Sequence, residues 1–407
     1  MSVLTRAPGR TAAGARRSTG SRAERPIGTW AFLGVAVASF GGPLALAGLI
    51  APGLVEDASE SAGLVMLAAA ALFAVPLIIW LRYARHISSS GGLYAFVEAA
   101  AGRRIALVQA TIWIVSYLLY VVYTGVQIVY DVLPAVIPGE RSYQTLLVLA
   151  IPVGLAGVMI AGRAVALAVL GLIAGSQLVL AGALDGVTLA HVTTPVSTFG
   201  TGASLGAGAK ATAQTSLLYI CGSLPLFLGG EVGRPVRTIR RGLIGVYLLT
   251  AAIVVAAVAP LATAPGLART AIPGMTVAQQ FSGLTLARAI GIGIAVSTAG
   301  VMLCEYLALS RLIHAVASWR MRPITIGIGA IIVGAAPFSL IDPEGFYETL
   351  IKPSLIALWL SQLIVFAVFP LFARKHGQRM LPAWALSSVA SALAVYGLII
   401  TLQHASS

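Results

Sequence analysis

The sequence predicts an all-α integral membrane protein, and three observations carry that reading. Of 407 residues, 58% are hydrophobic and 10% charged, with a mean hydropathy of +0.94. A soluble domain carries about 25% charged residues, so this chain lacks the polar surface that water requires. The apolar residues gather into eleven runs of about twenty, the length a helix needs to cross a hydrocarbon core. Short arginine clusters separate the runs. Lipid offers no partner to an open strand edge, so each run can only be helical.

The runs fall at 27–50, 62–81, 105–130, 143–162, 164–184, 212–230, 242–262, 286–310, 323–341, 353–373 and 382–402. Residues 1–26 are rich in Arg, Ser, Ala and Gly and read as a disordered basic cytoplasmic tail. A basic start before an apolar run can mimic a signal peptide. The stretch from Ile27 to Val55 is too long for a signal h-region, so it reads as a retained first span. With the N-terminus cytoplasmic, the inner loops hold Arg82, Arg85, Arg103, Arg163, Arg311 and the Arg234 to Arg241 cluster, among others. The outer loops hold only Arg141, Lys210, Arg269, Arg288 and Lys352. That asymmetry follows the positive-inside rule in every loop, and the C-terminus then lies outside. The expected location is a plasma (inner) membrane.

The formal net charge of +13 and pI near 10.3 would suggest nucleic-acid binding in a soluble protein. Here the basic residues are dispersed between apolar runs, so they set topology and no nucleic-acid partner is expected. Cys221 and Cys304 both lie within runs, leaving no disulfide framework or metal spacing. The chain lacks H-E-x-x-H and G-x-x-x-x-G-K-[ST]. Gly202 to Gly206 spells G-x-S-x-G but sits in a Gly/Ala/Ser/Thr-rich outer loop, not at a strand-to-helix turn. The expectation is no enzyme, no cofactor and no metal.

Two runs are interrupted. The first contains Ser39-Phe40-Gly41-Gly42-Pro43 at mid-membrane, and the sixth contains Cys221-Gly222-Ser223-Leu224-Pro225 at a comparable depth. Glycine favours opening of a helix and proline removes a backbone donor. Free backbone groups at that depth are tolerated only against protein or an aqueous cavity. The breaks lie five spans apart, so equivalent helices run in opposite directions. That is the sequence pointer to the binding site of a secondary transporter built from inverted repeats; the alternative is kinks that serve packing.

The third run adds a polar face. Trp113, Tyr117, Tyr120, Thr124, Gln127 and Asp131 are spaced 4, 3, 4, 3 and 4 apart, which places them on one side of a helix. Tyr117 and Tyr120 can offer hydroxyls and ring faces to a ligand, or bond between packed helices. Asp131 reads as a solvated boundary residue. Glu305 lies well inside the eighth run, six residues before Arg311. It is a proton carrier or cation ligand, or else a structural partner of a nearby arginine such as Arg311 or a carboxylate snorkelling to the interface. Ser297 and Thr298 could offer oxygens to sodium. Glu231, ahead of the arginine cluster, suits a cytoplasmic latch or serves topology alone.

Some of these segments resemble the amino acid–polyamine–organocation (APC) superfamily of permeases. Ser90-Gly91-Gly92-Leu93-Tyr94-Ala95-Phe96-Val97 with Gly102 resembles its serine-glycine-glycine-x-tyrosine segment. Glu231-Val232-Gly233-Arg234-Pro235 and the basic residues to Arg241 resemble its acidic–arginine–proline loop. Ser310-Arg311 with Trp319-Arg320, and Gly42-Pro43-Leu44, resemble weaker signatures; together they cover about residues 28–375. The resemblance implies a five-plus-five inverted-repeat (LeuT-like) core: 27–190 and 191–375 as the two repeats, and 376–407 as an extra span. It also implies an amino acid or small amine substrate between spans 1 and 6, at Ser39 to Gly42 and Cys221 to Ser223. Proton-coupled relatives carry a lysine in the fifth span, but 164–184 has none; Ser176 or Gln177 lies there. Twelve spans are usual in the family, and eleven are counted here. Coupling to H+ or Na+ and the oligomeric state stay open. No acidic residue lies within either break, which favours a small neutral substrate.

Overall fold

A computed structural model describes residues 26–55, 58, 61–137, 139, 142–193 and 196–403. The expected tail lies outside the described residues except for Pro26. Among the described residues, eleven helices are long and apolar enough to cross a membrane, and no strand forms. In order they are Thr29–Leu54, Ala62–Ala84, Arg103–Val136, Tyr143–Ala161, Arg163–His191, Leu205–Leu228, Pro235–Leu261, Leu284–Ala317, Met321–Leu340, Pro343–Lys375 and Met380–Gln403, hereafter spans 1 to 11.

Each span matches one apolar run. Several overshoot it, because helix continues into charged ends where capping replaces lipid. Span 10 starts ten residues before its apolar window, where Asp342 Oδ1 accepts from the Gly345 amide at 3.0 Å and Pro343 occupies the first turn. An acidic N-cap followed by proline is a strong helix start.

Spans 1, 6 and 8 are the most enclosed, and spans 4, 5 and 11 the least. Span 1 packs against spans 5, 6, 7 and 8; span 8 also contacts spans 3 and 5. Span 10 pairs with spans 3 and 11, and span 9 with span 4. Leu172, Val179 and Leu381 remain largely exposed, as suits faces turned toward lipid. Buried polar contacts lock span 3 to span 10. Ser116 and Ser354 each donate to the other's carbonyl at 2.8 Å, and Gln109 Nε2 donates to Ser361 Oγ at 2.9 Å. Such bonds hold membrane helices together where no hydrophobic drive exists.

Two shorter helices escaped the sequence reading. The run Ser90 to Val97 leads into span 3 in the sequence, but Leu93–Ala101 is a separate helix bounded by Gly92 (φ 51°) and Gly102 (φ 89°). Gly92 is required twice over: a Cβ there would lie 2.5 Å from the Phe227 ring of span 6. Pro273–Ser282 forms a second short helix between spans 7 and 8. Gly202 to Gly206 contains no strand-to-helix turn. Ser204 caps the start of span 6 through the Ala207 amide at 3.3 Å.

Candidate functional site

The break in span 1 is a true interruption. Helix Thr29–Ser39 ends, Gly41 and Gly42 adopt φ of 76° and 65°, and helix resumes at Pro43. Gly41 N donates to Ser39 O at 2.7 Å in a tight reversal. Beyond it, the new helix starts with a proline, so its first-turn amides face the gap without intrahelical acceptors.

Span 6 behaves differently. Instead of unwinding at Cys221 to Ser223, it tightens into a 3₁₀ helix over the twelve residues Leu217–Leu228. Runs beyond three or four residues are uncommon and mark strain or a hinge. Pro225 cannot donate within it, and the tighter winding keeps the backbone bonded where the sequence suggested opening. The two interrupted regions meet directly: a Cβ on Gly222 would lie 2.4 Å from the Phe40 ring.

Gly42 abuts a buried pair contributed by two other spans. Ser297 Oγ of span 8 donates to Gln177 Oε1 of span 5 at 2.5 Å. A Cβ on Gly42 would fall 2.0 Å from Ser297 Oγ and 3.0 Å from Gln177 Oε1. Among the described residues, Gln177 Nε2 is buried without a hydrogen-bond partner. Thr298 does not join this group, since its hydroxyl donates back to Ile294 O at 2.9 Å. Ser39 and Ser223 likewise bond to the preceding turn, at Ala36 O and Ile220 O.

The polar face of span 3 becomes an aromatic ladder. Phe227–Trp113, Trp113–Tyr117, Tyr117–Tyr120, Tyr120–Tyr123 and Tyr123–Tyr347 have ring centroids 4.6, 4.1, 6.1, 5.0 and 5.3 Å apart. Tyr117 is fully buried beside Cys221 and Ser223. Tyr120 and Gly41 keep some accessible surface although both sit deep in the bundle. Asp131 is exposed at the end of the span. Tyr123 was not among the sequence candidates. It lies off the 4, 3, 4, 3 stripe, and only the tertiary position of span 10 brings Tyr347 to it.

Glu305 is fully buried, and neither carboxylate oxygen has a hydrogen-bond partner among the described residues. The sequence alternative of an ion pair with Arg311 does not form. Positions six apart point to different sides of a helix, whose neighbours are three or four residues away. Arg311 instead pairs with Glu231, Nε to Oε1 at 2.8 Å, and Arg163 Nη1 reaches Oε2 at 3.0 Å. Glu231 therefore ties spans 5, 6 and 8 together at the arginine-rich end. There its carbonyl also accepts from Ile27 N at 2.8 Å. A cavity of about 570 Å³ lies at this triad, lined in part by Arg322, Met321 and Thr325.

No protein-family model matches the chain, and no curated protein matches it. Solved structures do share its fold. A manganese transporter from Eremococcus coleocola is similar with a TM-score of 0.58 at 10% identity, over 92% of this chain and 86% of that one. A Na+-coupled sialic acid symporter, in a substrate-bound outward-open state, is similar with a TM-score of 0.58 at 11% identity, over 93% of this chain and 90% of that one. At such identities the likeness shows a shared fold: an all-α membrane fold that these two transporters also have.

Proposed function

We propose that this protein is a secondary transporter that moves an amino acid or small amine across the plasma membrane by alternating access. The observation that carries the reading is the mid-span interruption at Phe40 to Gly42, enclosed by spans 5, 6 and 8. Irregular backbone at that depth is tolerated only where it lines a protein interior or cavity, and transporters place solutes there. The fold shared with two transporters and the segments resembling APC permeases support the same reading.

On this reading residues 27–190 and 191–375 are inverted repeats, and 376–407 supply one further span. The solute binds among Ser39, Phe40, Gly41, Gly42, Tyr117, Tyr120, Cys221, Gly222 and Ser223. Amides at the start of the Pro43 half-helix suit an anionic group, and carbonyls ending the Ser39 half-helix suit an ammonium. The Gln177–Ser297 pair, Thr298 and Glu305 are candidates for coupling to Na+ or H+. Glu231 with Arg163 and Arg311 is the latch of the cytoplasmic end, where the N-terminus also lies.

Counterflow in proteoliposomes tests the proposal, using a solute found by thermal-shift screening of the purified protein against amino acids and amines. Exchange of labelled solute against an unlabelled pool is expected. Stabilisation without exchange would make the protein a sensor, and exchange unchanged without sodium would remove Na+ coupling.

A further inference from the structure

We propose that the cavity at the arginine-rich end binds the phosphate of an anionic phospholipid, held by Arg163 and Arg322 where spans 4, 5, 8 and 9 meet. The proposal asks nothing of the transported solute, so it stands or falls apart from the transport reading.

The cavity, about 570 Å³, is lined by three arginines, Arg163, Arg311 and Arg322, and by one acid, Glu231. Both oxygens of that acid are already engaged: Oε1 accepts from Arg311 Nε at 2.8 Å and Oε2 from Arg163 Nη1 at 3.0 Å. Arg322 is exposed at the start of span 9 and makes no hydrogen bond or ion pair among the described residues. The lining therefore carries more positive charge than its own acid balances, and an anion from outside completes it. Spans 5 and 9 also begin at this wall, after Gly162 and Arg320, and neither start has a side-chain cap. Their dipoles add to the same field. Guanidinium forks meet phosphate oxygens in pairs, and one phosphate has oxygens enough to bridge two arginines.

The rest of the wall selects the source of the phosphate. Met159, Ile160, Ala166 and Leu307 give the cavity an apolar side, and Ile160, at the end of span 4, is 46% exposed. Span 4 ends and spans 5 and 9 start here, which sets the cavity at the depth of lipid headgroups rather than in the hydrocarbon. A phospholipid fits both surfaces, its phosphate on the arginines and its acyl chains along Met159 and Ile160. A soluble phosphate gains nothing from the apolar side. Basic pockets between membrane helices hold anionic headgroups on the same grounds. Because the phosphate draws on guanidinium groups that Glu231 also holds, its binding loosens the tie between spans 5, 6 and 8.

The purified full chain, stripped of lipid in a neutral maltoside detergent, provides the test by thermal-shift titration. Dioctanoyl phosphatidylglycerol supplies the anion, dioctanoyl phosphatidylcholine the same phosphate cancelled by an ammonium, and inorganic phosphate the soluble source. Phosphatidylglycerol is expected to raise the melting temperature saturably while the other two do not. Arg322→Ala should raise its midpoint concentration more than about tenfold, the equivalent of about 1.4 kcal/mol. Arg240→Ala should not, since Arg240 is exposed at the same end but outside the cavity. Arg322→Lys keeps the charge without the fork, so its midpoint should fall between wild type and Arg322→Ala; it also serves if Arg322→Ala does not fold. Glu231→Gln removes the competing carboxylate and should lower the midpoint. Equal response to the two lipids would overturn the proposal, as would equal loss in Arg322→Ala and Arg240→Ala or no gain in Glu231→Gln. Saturation by inorganic phosphate at the same concentrations would make this a soluble-anion site and overturn the lipid assignment.

Discussion

Replacing Glu231 with glutamine removes one negative charge from between two guanidinium groups. Arg311 donates to Oε1 at 2.8 Å and Arg163 to Oε2 at 3.0 Å, and Arg311 Nη2 adds a longer contact to Oε2 at 3.3 Å. The Arg311 side chain is 5% exposed and that of Glu231 19%. The pair thus falls between an exposed bridge, worth about 0.2–1 kcal/mol, and a fully buried one, whose rupture costs about 3–5 kcal/mol. Because Glu231 keeps an edge in water, about 2 kcal/mol is the reasoned value. At about 1.4 kcal/mol per tenfold, that favours opening of the arginine-rich end about thirtyfold. Cys221 is a built-in reporter, since it is buried in the 3₁₀ stretch of span 6 and shares the described residues only with Cys304 as a thiol. Its alkylation by a water-soluble maleimide in inside-out vesicles should accelerate by about ten- to thirtyfold in Glu231→Gln, with Cys304→Ala removing the other thiol. Arg163→Ala should give a smaller increase, because Arg311 keeps its grip. An unchanged alkylation rate in Glu231→Gln would refute the latch.

Gly42→Ala should abolish solute stabilisation. The new Cβ would fall 2.0 Å from Ser297 Oγ at a φ of 65°, and strain plus a broken buried bond together cost about 2–4 kcal/mol. Adding Ser297→Ala should restore part of the melting temperature; no drop in the single variant would remove the significance of the close approach. Slight desolvation of this exposed ring, then the charges of His376 and Arg85, hold the His86 imidazole below its usual value, with the His86 and His376 rings 4.5 Å apart. The unfolded chain then takes that proton more readily, so stability should fall as pH drops through about 6.5 and level off below the folded-state value. His376→Gln should make the slope shallower; an identical pH profile would show that the two rings do not interact.

The spans were legible because lipid forces every apolar run to be a helix, leaving length and charge to mark the ends. The span 1 break was legible for a local reason: two glycines followed by proline concentrate the strongest helix-weakening residues at one point. Span 6 carries a single glycine in its motif, Gly222, and its backbone stays bonded by tightening; composition does not distinguish that from unwinding. The stripe on span 3 followed from helical period alone. Pairings across the bundle did not. Gln177 and Ser297 were each singled out, but 120 residues separate them, and nothing local says that they meet at Gly42. Glu231 had several arginines within reach in sequence, yet its partners are Arg163 and Arg311, chosen by the packing of spans 5 and 8 against the end of span 6.

The 3₁₀ stretch of span 6 also has a consequence in length. A 3₁₀ helix rises about 2.0 Å per residue and an α-helix about 1.5 Å. The twelve residues Leu217–Leu228 are therefore about 6 Å longer than the same residues would be in α geometry, roughly the pitch of one turn. Rewinding them would draw the two ends of the span together by that distance with no bend anywhere. Glu231 follows the stretch by three residues, so the carboxylate that joins three spans sits at the end of an extensible rod.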